Sequence, residues 1–241
     1  MRYLLALLIL LIPISVFSID SIDSTRYLYA KKAPKTLDVD QLVNYLKKGA
    51  KEDKKVVETF FYWISLNIKY SQKLKNKIHI SDYDVSVEST LKNKETICEG
   101  YAKLLNEMCY TADIECEIIN GIAQNYLNKQ VDSTNHAWNA VKINNKWLLI
   151  DATWGSGSFN IGSNDYNEEL DIRYLFAEPN FLIIDHFPEE KKWQLLNPPI
   201  TLKQFQSEIW KEKRFRKFND LLDDEEYKNY KEMLKNNGLE K

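Results

Sequence analysis

The segment Glu95-Thr96-Ile97-Cys98-Glu99-Gly100-Tyr101-Ala102 decides how the rest of the 241-residue chain is read. Thr96 followed three residues later by Glu99 has the spacing of a capping box, the start signal of a helix. Beyond it Cys98, Tyr101, Ala102, Leu104, Leu105, Met108 and Cys109 recur at helical spacing. The pattern predicts a helix running to about Ala112, with Thr96 as N-cap and Cys98 as the second helical residue. In a first turn, unpaired N–H groups and the positive end of the helix dipole favour a thiolate, the nucleophilic form of cysteine. The alternative is a helix that merely begins near a buried structural cysteine. What surrounds Cys98 decides between them.

The surroundings come from two apolar-rich runs, His136 to Ile143 and Lys146 to Thr153, joined by Asn144-Asn145. Asparagine tolerates positive φ, so these two residues suit a tight hairpin turn. Such a turn sets Ile143 against Lys146, Trp138 against Asp151 and His136 against Thr153. His136 and Asp151 then leave the same face as diagonal neighbours, about 7–8 Å apart at the backbone. Trp138, Ala140, Trp147 and Leu149 share one face; Val141, Ile143, Leu148 and Ile150 share the other. A sheet apolar on both faces is covered on both, and an Asp and a His placed in it are costly unless paired. Singly, His136 reads as a core histidine and Asp151 as a strand-end carboxylate bonding its local backbone. Together with a helix-terminal thiol they read as a Cys-His-Asp site, because a thiolate needs a base and the base needs an orienting group.

Composition is that of a globular protein, 44% hydrophobic and 28% charged, without repeats or low-complexity runs. Arg2 followed by the apolar run Leu4 to Phe17, with Val16-Phe17-Ser18 at its end, reads as a secretory signal peptide cleaved after Ser18. The run falls short of the ~20 residues that span a bilayer and contains Pro13, which argues against a membrane anchor. Cleavage removes Arg2 and no acidic residue, so the mature chain is slightly more acidic than the full sequence at −2. Nothing in that balance points to nucleic acid. Three cysteines in an exported chain leave at least one unpaired. Cys98 and Cys109 lie about 16 Å apart along one helix, too far for the ~7 Å a disulfide allows. Cys109 with Cys116 is a possible pair that leaves Cys98 free. No cofactor is implied, and the cysteines and histidines lack the paired spacing of a zinc site.

The remaining elements are simpler. Residues 19 to 36 read as a polar linker or arm. Val39, Leu42, Val43 and Leu46 form a helical stripe, with Asp38 or Asp40 to cap it and Gly49 to stop it. A second helix is predicted over Asp53 to Ile68, buried through Val56, Val57, Phe60, Phe61, Trp63 and Ile64. Residues 71 to 95 are mostly polar, with an alternating piece at Ile78 to Ile80. Glu115 to Ile122 reads as a strand, 123 to 134 and 155 to 171 as loops, and 173 to 184 as mixed strand. Thr201 to Gln204 is another capping box, opening a charged tail that reads as a solvated helix with opposite-charge pairs.

Three blocks also carry a resemblance: Cys98-Glu99-Gly100-Tyr101-Ala102, Asn135-His136-Ala137-Trp138-Asn139-Ala140-Val141 and Leu149-Ile150-Asp151-Ala152-Thr153-Trp154-Gly155. They resemble the motif blocks of the transglutaminase-like superfamily, in the branch named after the kyphoscoliosis peptidase. Phe61-Tyr62-Trp63-Ile64 with Asn67-Ile68-Lys69-Tyr70 is similar to that branch's upstream helix. Tyr174-Leu175-Phe176, His186-Phe187-Pro188 and Trp193-Gln194-Leu195-Leu196 resemble its downstream segment. Thr96 departs from the glycine more usual there, and the charged tail has no counterpart. The resemblance implies an α+β, papain-like fold, its nucleophile helix packed on an antiparallel sheet, with helical extensions at both ends. The organisation expected is a signal peptide at 1–18, an arm and helix at 19–54, the transglutaminase-like domain at 55–205 and the tail at 206–241.

The resemblance further implies roles. Cys98 attacks a carbonyl, His136 shuttles the proton and Asp151 holds the imidazole. The Cys98 N–H and an upstream side chain meet the oxyanion. Tyr70 is the candidate for that side chain, the alternative being an aromatic that closes the preceding helix. Trp138 and Trp154 read as core, and His79 and His186 as structural or surface residues. The function expected is thiol-dependent acyl transfer on protein or peptide amide bonds, by a peptidase, an amidase or a transglutaminase. The protein would be secreted or periplasmic, with no membrane partner after signal cleavage. The rival expectation is a non-catalytic module that binds a protein or cell-envelope partner.

Overall fold

A computed structural model describes residues 24–36, 38–125, 131–159 and 166–223. The predicted signal peptide at 1–18 and the acidic end of the tail lie outside the described residues. None of the described helices is long and apolar enough to cross a membrane.

The chain opens with three helices, α1 (Ser24–Lys31), α2 (Val39–Lys47) and α3 (Asp53–Asn67). Asp38 caps α2 by accepting from the N–H groups of Asp40 and Gln41, as the sequence suggested. Helix α3 is buried without a break from Val56 to Ser65, on more than the expected stripe. The reason is α1, which replaces the expected polar arm. Tyr27 and Ala30 are buried, and Tyr27 meets Tyr62 edge-on with ring centroids 5.8 Å apart. Arg26 Nε donates to Glu58 Oε2 at 3.2 Å, and Tyr62 donates to Glu58 Oε1 at 2.9 Å. Glu58 can therefore lie on a covered face, because its charge is paired.

Next come β1 (Lys69–Tyr70), α4 (Gln72–Lys75), α5 (Val87–Asn93) and β2 (Glu95–Thr96). Strands β1 and β2 pair in parallel, with Tyr70 beside Thr96. The alternating piece at Ile78 to Ile80 forms no strand, and Ile78 is fully exposed. Helix α6 (Cys98–Thr111) follows, then β3 (Cys116–Ala123), β4 (His136–Ile143) and β5 (Lys146–Ile150). Both Asn144 and Asn145 have positive φ, 50° and 62°, and the register is the one derived above: Ile143 faces Lys146 and Asn139 faces Ile150. Short strands β6 (Gly157–Phe159) and β7 (Tyr166–Glu168) pair with each other within the predicted 155–171 loop. The rest comprises α7 (Pro179–Leu182), β8 (His186–Pro188), α8 (Leu202–Phe205) and α9 (Glu208–Asp223). The mixed strand expected at 173–184 reduces to a single bridge between Ala177 and Leu149, followed by α7, and the strand lies later, at β8. The capping box at Thr201 and Gln204 is present.

The main sheet is antiparallel in the order β5-β4-β3-β8. It is covered on both faces, with Val141, Ile143 and Ile150 in the core shared with α3 and α6. Trp138, Ala140 and Leu149 pack instead beneath Tyr174, Ala177, Leu182 and Trp193. Gly121 lets β8 approach β3, since a Cβ there would run into the Phe187 carbonyl. The fold is α+β, with the cysteine helix laid on an antiparallel sheet. Asn139 ties the two layers together: fully buried, it donates from Nδ2 to the Ala102 carbonyl of α6 at 3.1 Å.

Candidate active site

Cys98 is the first residue of α6, and its N-cap is Ile97, without a side-chain cap. The expected Thr96–Glu99 capping box does not form. Thr96 is committed to β2, where its carbonyl accepts from Ser71 N–H at 2.8 Å. Its side chain is buried against Gly100, whose missing Cβ makes room for it. Strand pairing thus sets the start of the helix where a capping side chain was expected, and brings Cys98 one residue closer to the terminus. There, in the first turn, backbone N–H groups have no intrahelical partner.

His136 opens β4 and Asp151 directly follows β5. His136 Nε2 lies 2.7 Å from Asp151 Oδ2, the two side chains sharing one face as the hairpin register required. The other ring nitrogen serves Cys98, which hydrogen-bonds His136 and also accepts from the Ala137 N–H. Asp151 Oδ1 accepts the N–H groups of Thr153 at 2.8 Å and Trp154 at 3.1 Å. Those bonds lock the carboxylate plane, one oxygen serving the local backbone and the other facing His136. Exposure falls along the series: the thiol is half-buried, His136 is buried, and Asp151 is sealed from solvent.

Electrostatics follow from this packing. Burial pushes the Cys98 thiol up, but the facing His136 ring and the Ala137 N–H outweigh it and hold the thiol below its ordinary value. Burial would discharge His136, yet Asp151 and the Cys98 sulfur overcome it and push the ring up to about 10. Burial disfavours the Asp151 carboxylate, but His136 and then His186 hold it well below the usual carboxylate range. The favoured state is a thiolate–imidazolium pair backed by a carboxylate. Tyr70 is held well above an ordinary phenol by burial first, then by the charges of Cys98 and Asp151. It therefore keeps its proton and sits within electrostatic reach of the sulfur, placed there by the β1–β2 pairing.

His186 was read from sequence as structural or surface, and it is neither peripheral nor unpartnered. Its Nε2 lies 2.9 Å from Asp151 Oδ2, the oxygen that also serves His136. Its Nδ1 lies 2.6 Å from Asp185 Oδ1. Asp185 Oδ2 in turn meets Lys217 Nζ of α9 at 2.6 Å. The charged tail is thus not wholly solvated. Lys217 and Arg214, one turn apart, are buried, while Glu208, Lys211, Glu212 and Arg216 form the expected opposite-charge pairs on the exposed side. His186-Phe187-Pro188 stood in the quoted downstream segment, but a three-residue strand gives no periodicity from which to place it.

His79 is exposed. All three cysteines are free, and Cys109 is nevertheless hydrogen-bonded to Cys116. The donor atoms of His136, Asp151 and His186 all lie within 4.8 Å of one another, near enough to hold a metal ion. Hydrogen bonds to the shared carboxylate, Cys98 and Asp185 already account for all four ring nitrogens.

Residues 40–152 match the family model described as the transglutaminase-like superfamily. The chain belongs to that superfamily. Its kinship is with the kyphoscoliosis-peptidase branch: the kyphoscoliosis peptidase of Homo sapiens is 31% identical over 195 residues, covering 78% of this chain and 29% of that protein. Hillarin of Drosophila melanogaster is 25% identical over 206 residues, covering 78% of this chain and 24% of its own. The chain thus spans less than a third of the length of these curated relatives. A solved TGase superposes with a TM-score of 0.41 at 14% identity, covering 66% of this chain and 38% of that one. The family-model match ends within the third motif block, whereas His186, Asp185 and Lys217 lie beyond residue 152.

Proposed function

We propose that the chain is an exported cysteine-dependent acyl-transfer enzyme acting on protein or peptide amide bonds. One observation carries this reading: a half-buried thiol at a helix start is bonded to an imidazole whose far nitrogen is held at 2.7 Å by a sealed carboxylate. Cys98 Sγ attacks the carbonyl carbon, and the oxyanion is met by the Cys98 N–H and the protonated Tyr70 phenol. His136 gives its proton to the departing amine, leaving a thioester on Cys98. A second nucleophile then loses its proton to His136 and releases the acyl group. Water in that role makes the protein a peptidase or amidase; a primary amine makes it a transglutaminase. Export rests on residues 1–18, and the N-terminal residue of the mature protein tests it.

The chemistry is tested with an activated peptide ester and intact-mass measurement. An acyl adduct on the wild type that is absent from Cys98→Ala supports the reading. Discharge of that adduct by water alone indicates a hydrolase, and discharge accelerated by added methylamine indicates a transglutaminase. Failure to acylate with any of a panel of such esters leaves the binding-module reading in possession.

A further inference from the structure

Beyond the triad, the buried polar groups do not stop at Asp151. Cys98, His136, Asp151, His186, Asp185 and Lys217 form one unbroken series in which each group bonds the next. We propose that His186, Asp185 and Lys217 are positioning residues that fix Asp151 against His136, so that helix α9 belongs to the active-site machinery. The proposal rests on the acyl-transfer reading of Cys98 and extends it to residues more than 30 positions beyond the hairpin.

Asp151 and Asp185 are both held below the usual carboxylate range: burial opposes their charge, and His136 for Asp151 and Lys217 for Asp185 lead the groups that overcome it. Two ionised carboxylates can only accept hydrogen bonds. His186 faces one with each ring nitrogen, at 2.6 Å from Asp185 Oδ1 and 2.9 Å from Asp151 Oδ2, so its ring ties the two carboxylates together. Trp154 and Trp138 pack around that ring edge-to-face, with centroids 4.5 and 5.2 Å away. Asp151 and Asp185 are each hydrogen-bonded on more than one side, which is how two carboxylates can lie this close together out of water.

Geometry supplies the rest. Asp151 Oδ2 is bonded by two rings from different elements, β4 and β8, so it can swing toward neither. His186 is itself fixed by Asp185, and Asp185 by Lys217. Lys217 also donates to the Phe181 carbonyl at 2.9 Å and sits over the Phe181 ring at 3.6 Å. The other charged groups near this end are Asp171, Arg173, Arg214 and Glu208. Asp171 and Arg173 pair with each other at 2.8 Å, so they offer Asp185 no substitute for Lys217. Removing the Lys217 charge leaves Asp185 without its ion-pair partner and loosens its grip on His186. Asp151 is then held less firmly against His136, the Cys98 thiolate is less favoured, and its inflection moves to higher pH.

The test is the pH dependence of Cys98 alkylation by iodoacetamide in the full chain, resolved by peptide mass spectrometry. In Lys217→Met the inflection should rise by about half a pH unit or more. In Lys217→Arg it should return toward wild type, and in Lys211→Met, on the exposed side of the same helix, it should not move. Loss of stability in Lys217→Met with an unmoved inflection makes Lys217 merely structural and overturns the proposal. A wild-type Cys98 with no inflection below that of a free thiol overturns the acyl-transfer reading instead. Should Lys217→Met fail to fold, Asp185→Asn is measured in the same way: a raised inflection supports the proposal, and an unmoved one overturns it.

Discussion

At the scale of single residues, three charges decide the state of Cys98. The thiolate is present above its lowered titration point, and the imidazolium persists until pH approaches about 10. Acyl-transfer activity should therefore rise through an inflection below the ~8.5 of a free thiol and fall only in strongly alkaline solution, the two limbs belonging to the pair. His136→Ala should reduce kcat/KM by about 10²–10⁴, and Asp151→Asn by a similar factor, measured on the same activated ester. Gly100 is a residue-scale constraint of another kind. In Gly100→Ala the new methyl collides with Thr96 Oγ1 and should cost about 1–3 kcal/mol in urea unfolding. Adding Thr96→Gly should recover most of that loss; an additive double mutant would contradict the contact. Thr96 also shows where sequence reading failed at this scale. Its spacing to Glu99 matched a capping box, but the pattern is local and could not register that β1 pairs with β2 and claims Thr96 for a strand.

At the scale of elements, the hairpin was the most legible part of the molecule. Two asparagines at positive φ, a register fixed by the turn and alternation on both faces were all in the sequence, and together they put His136 and Asp151 on one side. Helix α6 was legible from its apolar spacing to within a residue at each end. Helix α9 was legible as a helix but not as a buried one. Among its described side chains Arg214 and Lys217 are the buried ones, and charged residues count as outward-facing until their partners, the Ile184, Phe205 and Phe181 carbonyls and Asp185, are known. The layer contact between α6 and β4 gives another prediction. Asn139→Leu removes a buried donor from the Ala102 carbonyl, and should lower unfolding free energy by about 1–3 kcal/mol while leaving the Cys98 inflection in place. A large shift of that inflection would mean that α6 moves relative to the sheet.

For the whole molecule, stability and charge are tied through the buried series. Asp151 and Asp185 are ionised more easily in the folded chain than in the unfolded one, so their contribution is full above the ordinary carboxylate range, about pH 4, and fades as pH falls below it. His136 is raised, so its contribution is full below the ordinary ~6.5 and is lost as pH rises toward about 10. Thermal unfolding should therefore show a maximum between about pH 5 and 6.5 with a decline on both sides. The gap between wild type and Asp151→Asn should narrow as pH drops from neutral toward 3. Helix α1 sets the other whole-molecule feature. It was missed because Ser24 to Lys31 places its apolar residues, Tyr27 to Ala30, in one short run without a helical stripe, and its contacts with α3 give it a buried side.

The central claim is that His136 and Asp151 make Cys98 a thiolate at neutral pH. It is tested most directly by limiting alkylation of the folded protein at pH 6.5, counting adducts on Cys98, Cys109 and Cys116 by peptide mass spectrometry, in wild type and in His136→Ala. Modification of Cys98 well ahead of the other two, with that lead abolished by His136→Ala, is the predicted result. Equal, slow modification of all three, or a lead that survives loss of the imidazole, would contradict it.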